Sequence, residues 1–108
     1  MAQNFRRYTY NAVGTGAQAV YTADTYDAIV GISLSNILST AITVDCYIYD
    51  GSNNIYLVKD APIPTGGSLQ ILDGGAKFVV QALDVLYVKS SDAASVDVWV
   101  SAVDAIST

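Results

Sequence analysis

The sequence predicts an all-β fold: a single-domain antiparallel β-sandwich of about eight or nine short strands, with the jelly roll as one such arrangement. Apolar and polar residues alternate with a period of two along much of the chain, as they do in half-buried strands. Gly, Pro, Asn and Asp separate these stretches at regular intervals, as turn residues do. All ten acidic residues are Asp, and the lack of Glu disfavours helices because Glu is the better helix former.

The first strand-like segments lie before residue 37. Residues 5–13 alternate polar and aromatic side chains until Gly14-Thr15-Gly16 breaks the pattern, and residues 20–22 form a short extended piece. In residues 26–36, alternation predicts a buried face of Ala28, Val30, Ile32 and Leu34. The opposite, polar face holds Asp27, Gly31, Ser33 and Ser35. Ile29 is the exception to this alternation.

The clearest strand and hairpin follow in residues 42–59. One face of the strand holds Ile42, Val44, Cys46 and Ile48, and the other holds Thr43, Asp45, Tyr47 and Tyr49. Asp50–Asn54 has the Asp, Gly and Asn of a hairpin connection, after which residues 55–59 run back. Pro62 and Pro64 cannot donate ladder hydrogen bonds, so they indicate an edge strand or a loop.

Four further segments complete the predicted sandwich: residues 68–72, 77–81, 85–89 and 96–102, with Asp73-Gly74-Gly75 as a turn between the first two. The predicted core consists of Val30, Ile32, Leu34, Val44, Cys46, Ile48, Val96, Val98 and Val100. We divide the chain into an N-terminal arm with the first extended segment (1–20), a β-sandwich (21–104) and a C-terminal tail (105–108).

Composition excludes several classes of function. The net charge of −5 argues against nucleic-acid binding, and Arg6 with Arg7 is too small a basic cluster for a duplex. No apolar run approaches the length of a membrane span, so no membrane partner is expected. The N-terminus lacks the apolar region of a signal peptide, which predicts synthesis in a cytoplasm. Cys46 is the single cysteine, so it has no partner for an internal disulfide.

Residues for chemistry are scarce, and we predict no catalytic, cofactor-binding or metal-binding residue. The chain has no histidine, which most proton-transfer and nucleophilic sites use. Asp50–Asn54 spaces oxygen atoms as a calcium loop does but lacks the distal bidentate Glu, so a capped turn is favoured. Asp45 and Asp97 would form a carboxylate pair only if their strands were neighbours, and two solvated acids are favoured. Cys46 is in register with buried residues and is predicted to be a small core hydrophobe.

Aromatic residues on nominally polar strand faces indicate an interface, because Tyr, Trp and Arg are favoured interface anchors. The candidates are Phe5, Arg6, Arg7, Tyr8, Tyr10, Tyr47, Tyr49 and Trp99. Five of these candidates lie in residues 2–10, which are predicted to form an extended arm that binds a neighbouring molecule. The excess of outward aromatics predicts self-association as a trimer or another cyclic oligomer. Three alternatives stay open: strand ends and long loops cover these rings, the sheet is buried on both sides, or Trp and Tyr form a sugar-binding platform.

From about Tyr21 to Asp104, the order of segments and turns resembles small virion structural proteins of tailed bacteriophages. The segments that carry the resemblance are Tyr21-Thr-Ala-Asp24, Asp27-Ala-Ile-Val-Gly-Ile-Ser-Leu-Ser-Asn36, Ile42-Thr-Val-Asp45, Tyr56-Leu-Val-Lys-Asp-Ala-Pro62 with Pro64, Gly66-Gly67-Ser68-Leu69, Leu72-Asp-Gly74, Lys77, Asp84-Val-Leu, Val88-Lys-Ser-Ser91 and Ala94-Ser-Val-Asp-Val98. One departure is Leu83, which stands where the resemblance leads us to expect Gly, so the turn into residues 85–89 is expected to differ.

The resemblance implies assembly into a virion and no catalysis or cofactor. It implies a capsid decoration, or cement, protein that binds and stabilises the shell. The implied partners are the protein itself and the major capsid protein or another virion protein. A neck, tail or fibre-associated structural protein is the first alternative, and a carbohydrate-binding module is the second. An enzyme is not expected.

Overall fold

The computed structural model describes residues 4–24 and 26–104, with the backbone alone at residues 4, 72–77 and 104. These residues form eight β-strands and no helix, which confirms the predicted all-β class. The strands are β1 (Asn4–Val13), β2 (Gln18–Thr22), β3 (Asp27–Asn36), β4 (Ile42–Tyr49), β5 (Asn54–Ile63), β6 (Ser68–Val80), β7 (Val85–Ser90) and β8 (Val96–Asp104).

Two four-stranded sheets make up the domain. The first sheet has the strand order β1-β8-β3-β6, the second sheet has the order β2-β7-β4-β5, and the paired neighbours are antiparallel. Eight antiparallel strands that cross between two sheets in this order form a jelly roll. The Pro62 segment lies in β5, at an edge of the second sheet, as its missing N–H predicted.

The core lies between the two sheets and is built from the period-2 faces. Of the predicted core residues, those buried in the structure are Ile32, Leu34, Val44, Cys46, Val96, Val98 and Val100. Ile48 is partly buried against this cluster. Val30 is only half-buried, and its neighbour Ile29 takes the core position. The reason is a bulge in β3 between Ile29 and Gly31, since an extra residue shifts the alternation by one.

The turn predicted at Asp73-Gly74-Gly75 is wrong. β6 is one strand from Ser68 to Val80, paired along β3. Ile29 pairs with Phe78 and Gly31 pairs with Asp73, so β6 places residues 74–77 opposite Val30 alone. The extra residues are therefore absorbed as an irregularity inside a continuous strand, because β3 holds β6 on both sides of them.

The arm predicted over residues 2–10 is corrected from residue 4 onward. Residues 4–13 form β1 and pair with β8 of the same chain, from Asn4 opposite Asp104 to Val13 opposite Val96. The half-buried ring of Tyr8 also packs 4.5 Å from the buried ring of Tyr21, centroid to centroid. Ladder hydrogen bonds and this ring contact hold the segment within the sandwich. Residues 2–3 and the predicted tail 105–108 lie outside the described residues.

Two buried polar residues tie the strands together. Asp27 was predicted on the polar face of its strand, yet it is buried and accepts a hydrogen bond from the Tyr21 hydroxyl. Asn36, at the end of β3, donates from Nδ2 to the carbonyls of Thr40, Ile63 and Pro64 at 2.8, 3.1 and 3.2 Å. Its Oδ1 accepts the Leu38 N–H at 2.8 Å. Asn36 thus joins the β3–β4 loop to the β5–β6 loop.

Candidate interaction surfaces

The predicted interface residues are distributed over both sheets. Arg7 and Trp99 lie on the outer face of the first sheet, where the Arg7 guanidinium sits 5.7 Å from the Trp99 ring centroid. Phe5 is exposed on the same strand as Arg7. Trp99 is 51% exposed because it alternates with the buried Val98 and Val100. The period-2 pattern of β8 thus predicted its orientation correctly.

A shallow hollow lies beside Trp99 on this outer face. Its volume is about 330 Å³, and it is lined by Thr9, Tyr10, Asn11, Ser33, Ser35, Asp97, Val98 and Trp99. Asp97 Oδ1 accepts hydrogen bonds from Asn11 Nδ2 at 2.7 Å and from the Ala12 N–H at 2.9 Å. Ser33, which also lines the hollow, accepts at Oγ a hydrogen bond from Gln70 Nε2 at 2.9 Å. The lining therefore combines two aromatic residues, Tyr10 and Trp99, with polar residues of β1, β3 and β8.

The second sheet carries a row of three tyrosines on its outer face, which we call the tyrosine row: Tyr56, Tyr47 and Tyr87. The Tyr47 ring lies 4.9 Å from that of Tyr56 and 5.3 Å from that of Tyr87, centroid to centroid. These residues are directly opposite one another on β5, β4 and β7. Sequence reasoning identified Tyr47 but missed its two partners, because only the strand register brings them together.

Within the row, the central ring of Tyr47 is buried and the flanking ring of Tyr56 is exposed to solvent. Tyr47 is only 8% exposed, whereas Tyr56 is 43% exposed. Burial, the neighbouring hydroxyls of Tyr56 and Tyr87, and the Asp45 carboxylate raise the pKa of Tyr47. Lys59 Nζ sits 4.9 Å from the Tyr56 ring centroid and 3.9 Å from Asp45 Oδ2, which places a charge pair beside the row.

The remaining predicted interface residues occupy less uniform positions. Tyr49 is exposed and donates its hydroxyl to the Gly51 carbonyl at 3.1 Å. Arg6 and Tyr10 are exposed on β1, and Tyr8 turns inward against Tyr21. The structure therefore does not gather the eight residues into one patch, and an interface role for each of them stays a prediction.

An apolar cleft opens between the edge strands β5 and β6. Its volume is about 390 Å³, and it is lined by Ile48, Ile55, Leu57, Phe78, Val79, Val80 and Asp84. Ile55 and Val79 are 51% and 62% exposed there. Sequence reasoning did not identify this cleft, because it depends on which strands form the edges of the two sheets.

The residues considered for chemistry fall into structural roles. Asp45 lies on β4 of the second sheet and Asp97 on β8 of the first, so they do not form a pair. Asp50 Oδ1 accepts the N–H groups of Asn53 and Ser52 at 2.8 and 2.9 Å, as expected of a capped turn. These hydrogen bonds lower the pKa of Asp50. Cys46 is fully buried, and burial raises the pKa of its thiol to about 12.

Neither a cluster of metal ligands nor a membrane-spanning helix occurs in the described part of the chain. Among the described side chains, those of residues 5–24, 26–71 and 78–103, no three Cys or Asp residues gather as metal ligands would. In the same residues, no helix is long and apolar enough to cross a membrane.

Comparison with known proteins identifies the fold. No protein-family model and no curated protein matches the chain. Among solved structures, the chain is similar to one described as "Acidic stable capsid structure of Helicobacter pylori bacteriophage KHP30", with a TM-score of 0.61. The match has 9% sequence identity and covers 95% of this chain and 87% of that one. At such low identity the likeness shows the fold alone.

Proposed function

We propose that this protein is a non-enzymatic structural component of a bacteriophage virion. The observation that carries the proposal is the jelly roll, which matches a chain of a phage capsid structure over 95% of the present chain. The absence of His and Glu from the sequence supports a role without proton-transfer catalysis. The resemblance of residues 21–104 to small virion proteins supports the same class. The expected location is the virion.

More specifically, we propose that the protein decorates the capsid and reinforces the shell. A protein that binds the assembled lattice, and not its dissociated subunits, stabilises the lattice by mass action. Many identical sites on one particle add up through multivalency, even when each contact is weak. A small domain with exposed aromatic surfaces suits repeated contacts of this kind, and its partner would be the major capsid protein.

We assign the capsid contact to the tyrosine row. Tyrosine supplies a large contact area at low entropic cost and keeps a hydroxyl for hydrogen bonding. Tyr47 is held between Tyr56 and Tyr87, so the central ring of the row is packed in place before a partner binds. Lys59 and Asp45 lie at the border of the row, where charged residues of an interface usually lie.

The test compares phage particles assembled with and without this chain. We expect undecorated particles to lose their packaged genome at a lower temperature, and decoration with the wild-type protein to restore the limit. The double variant Tyr56→Ala/Tyr87→Ala should remain folded, bind particles more weakly and restore less of the temperature at which particles keep their genome. Tyr26→Ala serves as the matched control, because Tyr26 is an exposed tyrosine outside the row. Equal genome loss with and without the chain would refute reinforcement.

The same particles test the alternative position on the virion. Labelled protein spread over the shell in hundreds of copies supports decoration, whereas a label at the tail vertex alone transfers the assignment to a neck, tail or fibre-associated component.

Self-association as a trimer or another cyclic oligomer is a separate proposal. The apolar cleft supports it, because Ile55 and Val79 expose apolar surface that monomers usually cover. We expect sedimentation of the wild-type protein at micromolar concentration to show an oligomer, and Val79→Lys to convert it to monomer. A wild-type monomer would confine association to the lattice.

A further inference from the structure

We propose that the hollow beside Trp99 binds a neutral carbohydrate, with one sugar ring stacked on the exposed indole and its hydroxyls bonded to Asp97, Asn11 and Ser35. This site lies on the first sheet, opposite the tyrosine row, and it does not depend on the proposed capsid role. Nothing in the fold comparison assigns a ligand to this face.

The shape of the hollow follows from the row of residues across the first sheet. Trp99 on β8 stands directly between Thr9 on β1 and Ser33 on β3, and Asp97 stands beside Ser35. Serine side chains are short, so the sheet surface drops beside the indole instead of continuing at its height. The volume of about 330 Å³ is at the small end of ligand sites, which suits about one or two sugar rings.

The polar groups of the lining are held in position before any ligand arrives. Asp97 Oδ1 is fixed by Asn11 Nδ2 and by the Ala12 N–H, so the carboxylate does not need to be ordered on binding. Ser33 Oγ accepts a hydrogen bond from Gln70 Nε2, which leaves its own hydroxyl hydrogen to donate. The site therefore offers both acceptors and donors, and a sugar hydroxyl is able to act as either.

Charge selects the kind of sugar. Asp97 is the one charged residue among the described residues that line the hollow, and the whole chain carries a net charge of −5. The Asp97 carboxylate would repel a phosphate, a sulfate or a uronic acid. The Arg7 guanidinium lies 5.7 Å from the Trp99 ring centroid but outside the lining, so the Asp97 carboxylate is the charge that a sugar in the hollow meets first. Neutral hexoses and N-acetylhexosamines fit this balance.

A protein partner fits the hollow less well. The cores of protein interfaces are depleted in charged residues, and burying the Asp97 carboxylate beneath an apolar surface would be costly. A sugar ring instead presents an apolar face to Trp99 and hydroxyls to the Asp97 side.

Tryptophan fluorescence gives a direct test, because Trp99 is the single tryptophan. Neutral and anionic glycans are screened on an array with the full chain, and the hits are titrated while the emission of Trp99 is recorded. We expect saturable quenching or a blue shift with a neutral glycan and none with anionic ones. Ser35→Leu fills the hollow but keeps Trp99 as the fluorescent reporter, and it should raise the dissociation constant of the glycan by at least about tenfold.

Two further variants guard against a misleading result. Trp99→Ala should abolish binding measured by calorimetry, and Tyr56→Ala, on the opposite sheet, should bind as the wild type does. Circular dichroism verifies that each variant is folded. The proposal is overturned if no neutral glycan changes the Trp99 emission of the folded wild type, or if folded Ser35→Leu binds equally well. Protection of Trp99 by a capsid protein in decorated particles, without glycan binding, would make the hollow a protein interface instead.

Discussion

Replacing Leu83 by glycine is expected to stabilise the protein. Leu83 lies in the turn between β6 and β7 with a φ of 74°, in the left-handed region that glycine favours. Its N–H donates to the Ala23 carbonyl at 2.8 Å, and the next residue, Asp84, donates its N–H to the Gln81 carbonyl at 3.0 Å. These backbone hydrogen bonds hold the turn in place, and glycine would keep both of them.

The size of the effect follows from two opposing terms. The left-handed conformation costs an L-residue about 1–2 kcal/mol, which glycine would recover. Glycine in turn makes the unfolded chain more flexible, which takes back about 0.5–1 kcal/mol. The Leu83 side chain is 78% exposed, so little apolar burial is lost. The free energy of unfolding should rise by about 0.5–1 kcal/mol as the balance of these terms.

Urea denaturation measures this change as a higher midpoint at an unchanged slope, by about 0.3–0.5 M for a small domain. Leu83→Ala is the matched control, because it removes the same exposed side chain and keeps the Cβ that causes the strain. It should not share the gain. If Leu83→Gly is no more stable than Leu83→Ala, the left-handed strain is not the cause and the reasoning fails.

Four further changes test the fold. Val98→Ala should lower the free energy of unfolding by about 2 kcal/mol, because the side chain is buried in the core, and an unchanged urea midpoint would contradict that burial. Asn36→Asp should cost at least about 3 kcal/mol, since an oxygen would replace the amide that serves three carbonyls, and the exposed Asn53→Asp should cost far less. Burial raises the pKa of the Cys46 thiol from 9.0 to about 12, so the free energy of unfolding that is present below pH 9.0 should be partly lost as the pH rises towards about 12. Denaturation in alkaline buffers should show this loss in the wild type and not in Cys46→Ala. A thiol reagent should react with Cys46 only after the protein unfolds. Deleting residues 2–10 should destabilise the domain, because β8 loses its edge partner, and a truncated protein of wild-type thermal stability would contradict that pairing.

Local patterns predicted the strands that carry the core. Alternation identified β4 and β8 with their buried faces, since a period of two is set by the pleat of the strand itself. The capped turn at Asp50 and the buried position of Cys46 were likewise predictable from neighbouring residues. These features need no knowledge of which strands are paired.

Features that depend on partner strands were not predictable. Val30 and Ile29 exchange roles because of a bulge, and the signal for that bulge lies in how β3 pairs with β6 and β8. A Gly-Gly pair normally indicates a turn, yet here the continuous pairing of β3 keeps β6 extended. The tyrosine row is a matter of register between β4, β5 and β7, which no single segment contains.

The N-terminal segment shows how composition misleads at an edge strand. The exposed Phe5 and the two arginines that follow it indicate an interface, and an arm was one way to present them. An edge strand presents the same residues, because β1 has a partner on one side only within the described sheet. Ladder pairing, which composition does not report, decides between the two.

The two proposed surfaces make a joint prediction, because they lie on opposite faces of one sandwich. A protein docked on a shell through the tyrosine row would point the Trp99 hollow away from the shell, about one sandwich thickness, ~10 Å between sheets, from the contact. Decorated particles should therefore be retained on beads that carry the neutral glycan, and undecorated particles should pass through.

The variants separate the two surfaces in that assay. Ser35→Leu should decorate particles that are not retained, whereas Tyr56→Ala/Tyr87→Ala should bind the beads by itself without bringing particles. If Ser35→Leu fails to decorate, the first sheet takes part in the capsid contact. If the tyrosine variant brings particles to the beads as well as the wild type does, the contact lies outside the tyrosine row, and the orientation inferred from the sandwich is wrong.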